Sequence, residues 1–363
     1  MRLRSILTML ALLCVVVPAT RSLAQAEIPK EVIEAVTLQP DQVTSIEKFI
    51  NDRLSGLSNS DPLAIKKNRD ELLRPFRNPQ ASVAFRKAFS DKIVPELRKL
   101  GGNEKDLIAV NAIRIAGEIA TSDAASVLEE RLADKRVAVR YAAVNGLERT
   151  LTAVANPRAT PAITAQRVDE LIGSLGKIVS DPAAGPEIVN AAARALMQSM
   201  TITRNGFTNT RSSAFRTLSE GISTLAQKGA DGPMANVLLL AVQSSQKAVA
   251  DNAPGMVLAG DSLKQSGGLG GQLLSWAYCQ LKAGKLPPGS EARKTASLIV
   301  GISENVVILS TQKAGGDQAA PANLGKDLEQ GNDKAFVANL AKVIGLLNAP
   351  PFNYPPDTFL KCK

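Results

Sequence analysis

The sequence predicts an all-α chain whose middle is a solenoid of stacked helical hairpins, and three observations carry that prediction. Alanine and leucine dominate the apolar residues, and aromatics make up only 4% of the chain. No stretch shows the period-two alternation of Val, Ile, Tyr and Phe that a half-buried strand requires. Apolar residues recur instead at three- and four-residue spacing, the mark of a helix with one buried face, and segments of like pattern return after 31 residues, from Ile108 to Val139.

The N-terminus reads as a secretory signal peptide. Arg2 and Arg4 precede an apolar run from Ile6 to Val17, then Pro18 and the small-residue sequence Ala24-Gln25-Ala26. The run falls short of the roughly 20 residues a helix needs to cross a bilayer. Cleavage after Ala26 removes residues 1–26, leaves no transmembrane segment and sends the chain to the periplasm or the exterior. Arg2, Arg4 and Arg21 leave with it, so the formal charge falls from +9 to +6. Cys14 leaves too; Cys279 and Cys362 remain and can pair in an oxidising compartment. The chain has no histidine, which excludes Ser-His-Asp and Cys-His nucleophile systems and His-ligated zinc or haem. No cofactor or metal is expected.

Residues 27–105 form a basic helical cap, with helices expected near 41–55, 62–74 and 80–100, punctuated by Pro40, Pro62, Pro75 and Pro79. The span 61–105 holds 11 Lys or Arg against 6 Asp or Glu. Lys66, Lys67, Arg69, Arg74 and Arg77 are therefore candidates for contact with an anionic envelope surface. Interleaved aromatics are missing, which argues against nucleic acid.

Residues 106–230 carry the repeats. Val139-Arg140, Ala142-Ala143 and Leu147 follow Asp134, and residues 108–117 match them one unit earlier; residues 188–197 supply a third copy. These stretches resemble the first helix of a HEAT repeat, specifically over residues 105–200. The resemblance implies an exported bacterial solenoid that binds a protein partner on its repeat surface. HEAT arrays often bear a ladder of Asp and Arg, but the pair Asp134 and Arg140 occurs once, so no continuous ladder is expected. Small alanines in these helices permit close approach, and Val168, Leu171, Ile172, Leu175, Ile178 and Val179 form the apolar stripe of a second helix. One such hairpin cannot bury its apolar face alone, so stacking follows.

Residues 231–348 read as further hairpins, with helices at 234–250, 272–283 and 291–312 and a last one running from Asn332 as N-cap to Pro350-Pro351 as stop. The apolar run 296–310 contains Glu304 and Asn305 and reads as a buried helix. Residues 313–332 read as a loop, and in the Pro-rich tail 349–363 the stretch from Ala349 to Pro356 reads as extended chain. Gly267, Gly268, Gly270 and Gly271 read as a flexible turn between helices, because a phosphate-cradling loop would need a preceding strand and a following Lys-Ser or Lys-Thr.

Ser174 with Lys177 and Ser244 with Lys247 match the S-x-x-K of penicillin-binding enzymes, but the companion motifs are missing. The reading is a non-enzymatic binding scaffold. The alternatives are a histidine-free hydrolase working through carboxylates, which a cluster of buried, pKa-shifted acids would reveal, and an electrostatic adaptor at an anionic surface. Helical wheels put Ser126, Glu129 and Glu130 on one second helix, and Gln166, Glu170 and Lys177 on the next, opposite their apolar stripes. These six are the expected partner-binding face, acidic in character.

Overall fold

A computed structural model describes residues 27–253 and 256–362; the signal-peptide reading concerns residues 1–26 and lies outside them. Helices α1 (Lys30–Ile33), α2 (Pro40–Leu57), α3 (Pro62–Leu73) and α4 (Val83–Gly101) form the N-terminal part. Pro40 and Pro62 open their helices, where a missing N–H costs nothing. Asp61 and Ser82 cap the next two by accepting from the N–H groups of Leu63 and Phe85. Phe49, Phe76, Phe85 and Phe89 pack as one aromatic cluster beneath them.

Seven helices follow in hairpin order: α5 (Asp106–Ile119), α6 (Ser122–Arg131), α7 (Val137–Ala155), α8 (Ala165–Val179), α9 (Pro186–Ser199), α10 (Thr210–Gln227) and α11 (Pro233–Ala250). The chain closes with α12 (Asp261–Lys282), α13 (Glu291–Lys313), α14 (Leu324–Glu329) and α15 (Asp333–Asn348). Helices α3, α5, α7, α9, α11 and α13 pack side by side as one layer, and α2, α4, α6, α8, α10 and α12 as the other. One hydrophobic core runs between the layers from Ile28 to Phe359. The chain is an all-α solenoid.

Close approach in the repeat layer rests on missing side chains. A Cβ on Gly117 of α5 would lie 2.7 Å from the Cα of Gly146 on α7, so the two helices touch backbone to backbone. The end of α5 is then satisfied by other helices: Arg86 donates to the Ile119 carbonyl at 2.8 Å and Thr150 to that of Gly117 at 3.1 Å. Burial lowers the Arg86 pKa to about 10. Asp134 does not pair with Arg140. It takes both ends of Arg136, whose guanidinium also reaches the Asn103 carbonyl at 2.6 Å, while Arg140 donates forward to Ala184. Single contacts thus join successive turns in place of a ladder.

Three expectations for the C-terminal part are corrected. The glycines 267, 268, 270 and 271 are not a turn but lie inside α12. They are there because neighbours press onto the helix: a Cβ on Gly270 would come within 2.9 Å of the Ser303 carbonyl, and one on Gly267 within 2.9 Å of the Phe352 ring. The stretch 313–332 is not all loop, since it contains α14, which α13 holds at both ends. Glu304 accepts from the N–H groups of Ala322 and Leu324, and Arg293 donates to the Leu328 carbonyl at 2.6 Å. These buried charges thus complement the α14 dipole.

The tail is not extended either. It turns back so that Phe352 and Phe359 are buried against α12, with Tyr354 donating to the Lys264 carbonyl and the Leu360 N–H to Ser275. Cys279 and Cys362 are joined by a disulfide with Cα atoms 5.3 Å apart. Asn332 occupies the N-cap position of α15, but its side chain makes no capping bond.

Candidate binding groove

Helices α6 and α8 bring the six residues of the expected face onto one side of the molecule, yet that side is not acidic. Glu129 accepts from Arg167 and from Ser174, the latter at 2.8 Å, and Arg167 also reaches Ser126 at 3.1 Å and Glu170 at 2.8 Å. Hydrogen bonding to Arg167 lowers the Glu170 pKa. Glu130 pairs with Arg98 of α4 at 2.9 Å. Gln166 bonds Glu170 at 3.2 Å, and Lys177 is exposed. A wheel drawn for one helix cannot show cations brought by its neighbours. The serine of one S-x-x-K match is occupied as the donor to Glu129.

The five basic residues of the N-terminal part do not form one patch. Lys66, Lys67 and Arg77 are exposed, but Arg74 pairs with Glu27. Arg69 turns inward, bonding Asp70 and, at 2.7 Å, the buried Asn111 of α5. That orientation places Arg69 beside the outer face of its own layer, next to α5.

There, three- and four-residue spacing presents Val110, Arg114 and Glu118 on α5, and Ala138, Tyr141, Asn145, Arg149 and Thr152 on α7. Between them lies a cavity of about 670 Å³ lined by Val110, Arg114, Tyr141, Asn145, Glu148 and Arg149. Arg194 of α9 reaches into this row, 3.3 Å from Asn145 and 3.5 Å from Glu148. It also borders a second cavity, of about 230 Å³, shared with Met197, Arg211, Ser244 and Lys247. The two cavities lie along the outer face of α5, α7, α9 and α11 with Arg194 between them, and that face is the candidate groove.

Its electrostatics are uneven. Arg149 pairs with Glu118. Tyr141 is 39% exposed, and hydrogen bonds from Asn145 and Arg194 lower its pKa. Arg114 makes no hydrogen bond or ion pair among the described residues. Burial, then the like charges of Arg69 and Arg149, lower its pKa, with Asp70 and Glu118 offsetting part of the effect. Arg114 was readable in the sequence as a lone charge in the apolar run 107–117; its partnerless state was not.

Asp134, Arg136 and Trp276 are already engaged. Arg136 holds the Asp134 carboxyl down to about 2 through hydrogen bonding. Trp276 donates to the Ala230 carbonyl at 2.8 Å beside a cavity of about 870 Å³ that Asp231, Lys285 and Glu291 also line. Among the described residues no group of three or more His, Cys, Asp or Glu is placed to hold a metal, and no described helix is long and apolar enough to cross a membrane.

No family model and no curated protein matches the chain. Solved structures similar to it include an engineered protein, 14% identical with a TM-score of 0.29, covering 73% of this chain and 97% of its own. Another is a designed armadillo repeat protein in complex with the peptide (KR)4, 12% identical with a TM-score of 0.32, covering 79% of this chain and 99% of its own.

Proposed function

We propose that this chain is a non-enzymatic HEAT-type scaffold that holds a protein partner in the groove across α5, α7 and α9, and that it works in the bacterial envelope or exterior. One observation carries the reading: the groove gathers an exposed tyrosine, an amide and an arginine that makes no hydrogen bond or ion pair among the described residues around one open cavity. Rigid helices hold these groups, so binding orders little of the protein. Export is supported by the basic and apolar leader with its small-residue cleavage sequence, and by a disulfide of the kind that persists in oxidising compartments.

Capture from the native envelope fraction tests it. The wild-type chain should retain a protein partner that the double variant Tyr141→Ala, Arg114→Gln loses. A partner retained equally by both removes the groove from consideration. N-terminal sequencing of the chain from its host should read Glu27 first; a chain keeping residues 1–26 in the membrane would sink export.

A further inference from the structure

Arg114 makes no ion pair among the described residues, and the two carboxylates that act on it, Asp70 and Glu118, are bonded to two more cations beside it. Arg69 approaches from α3, anchored by Asp70 and Asn111, and Arg149 from α7, anchored by Glu118. Both of those guanidiniums have carboxylates of their own; Arg114 does not. Arg114 is exposed, so water solvates it in the free chain and a carboxylate from outside the chain can reach it. A guanidinium presents a planar fork of donors, which a carboxylate matches with two parallel bonds.

The surroundings narrow the source. Val110, Ala138 and Ala142 give the cavity an apolar wall, and Tyr141 stands partly exposed at its side. An isolated small anion has no use for such a wall. A membrane is flat and meets protrusions, not a recess lying between two helices. Asn145 already bonds Tyr141 and Arg194, and its second N–H and second lone pair are the donor and acceptor a peptide main chain needs. Farther along, Arg194, Arg211 and Lys247 outnumber the acids beside them, Glu148 and Asp251. Packed helices lie about 8–10 Å apart, and an extended chain advances about 3.3 Å per residue. Crossing from α5 to α9 therefore takes roughly six residues.

The geometry points to an acidic peptide segment as the ligand, laid in extended form across α5, α7 and α9 with a side-chain carboxylate on Arg114 and its main chain against Asn145. This inference rests on the groove reading above and deepens it. The partner is thus a protein with an exposed Asp- or Glu-rich stretch. Association weakens with salt, because most of the groove stays wet.

Fluorescence anisotropy on the purified full chain provides the test. The probes are a labelled dodecapeptide alternating Glu with Thr, its counterpart alternating Gln with Thr, and phosphatidylglycerol vesicles. The Glu peptide should bind and the Gln peptide should not. Arg114→Gln should weaken the Glu peptide about tenfold, and Arg114→Lys, which keeps the charge without the fork, should recover part of that loss. Arg98→Gln, on the opposite layer, should change nothing, and circular dichroism confirms the fold of each variant. Equal binding of the two peptides, no binding of the Glu peptide, or wild-type affinity in Arg114→Gln overturns the inference, as does Arg114-dependent binding of the vesicles alone. If both peptides bind alike and Tyr141→Ala weakens both, the acidic ligand is wrong while the groove stands. If the captured envelope partner ignores Tyr141→Ala and Arg114→Gln, the groove itself is wrong.

Discussion

The repeats from α5 to α10 and the closing segment from α12 to the tail solve the same problem by different means. In the repeats, each helix packs on its sequence neighbours and on the equivalent helix one hairpin away, and small residues set the spacing. Among the described residues the closing segment has no further hairpin packed on it. It covers its last helices with a folded-back tail, a glycine-bearing helix face, a disulfide and two buried charges. An array of neighbour contacts can be lengthened or shortened, whereas an end has to be built from unique parts.

The largest effect that could break this contrast is loss of the Cys279–Cys362 bond. Its cysteines are separated by 83 residues, and the chain-entropy model gives about 4 kcal/mol for such a loop. Cys362→Ser should lower the urea midpoint and expose α12, α13 and α15 to hydrogen exchange while α5 to α8 stay protected. Uniform loss of protection would mean that the end is not a separate device. Thiol counting on denatured, unreduced wild type should find no free thiol.

Next in size is Glu304→Ala, which leaves the N–H groups of Ala322 and Leu324 without their acceptor in a buried site. About 3 kcal/mol should be lost, measured by urea unfolding, with Glu304→Gln retaining part of it. A change under about 0.5 kcal/mol, the size of a surface substitution, would show that α14 is held by its apolar contacts alone.

For the repeats, Gly117→Ala places a methyl against the Gly146 backbone, and about 2 kcal/mol is expected because backbone cannot swing aside. Gly173→Ala, where a Cβ meets nothing within 4 Å, should be neutral or slightly stabilising. Equal effects at the two positions would remove close approach as the organising feature of the layer.

The smallest effect concerns the turn between hairpins. Arg136 holds the Asp134 pKa near 2, below its ordinary 3.8. A depressed carboxylate contributes stability that is full above the unfolded value and is lost as pH falls through the folded one. Asp134→Asn should therefore cost about 1–2 kcal/mol at pH 7, and the gap from wild type should close between about pH 4 and pH 2 in acid titrations followed by circular dichroism. A gap independent of pH would assign the contribution to geometry instead of charge.

Spacing and composition alone made most of the helices legible. The apolar stripe at 168–179 matches the buried face of α8, and Pro40 and Pro62 mark helix starts where they were expected. Periodicity succeeds there because burial of one helix face leaves a local signature. It failed at Gly267 to Gly271, since glycine reads as a turn until Phe352, Tyr354 and Phe359, some 80 to 90 residues later, are seen to need the space. It failed for the charged faces for a related reason. Glu129 is neutralised by Arg167 from α8 and Glu130 by Arg98 from α4, while Arg114 has like charges brought beside it from α3 and α7. Which side chains lie on a helix surface follows from local spacing; which of them remain unpaired depends on what other helices deliver, and only the stacked arrangement decides that.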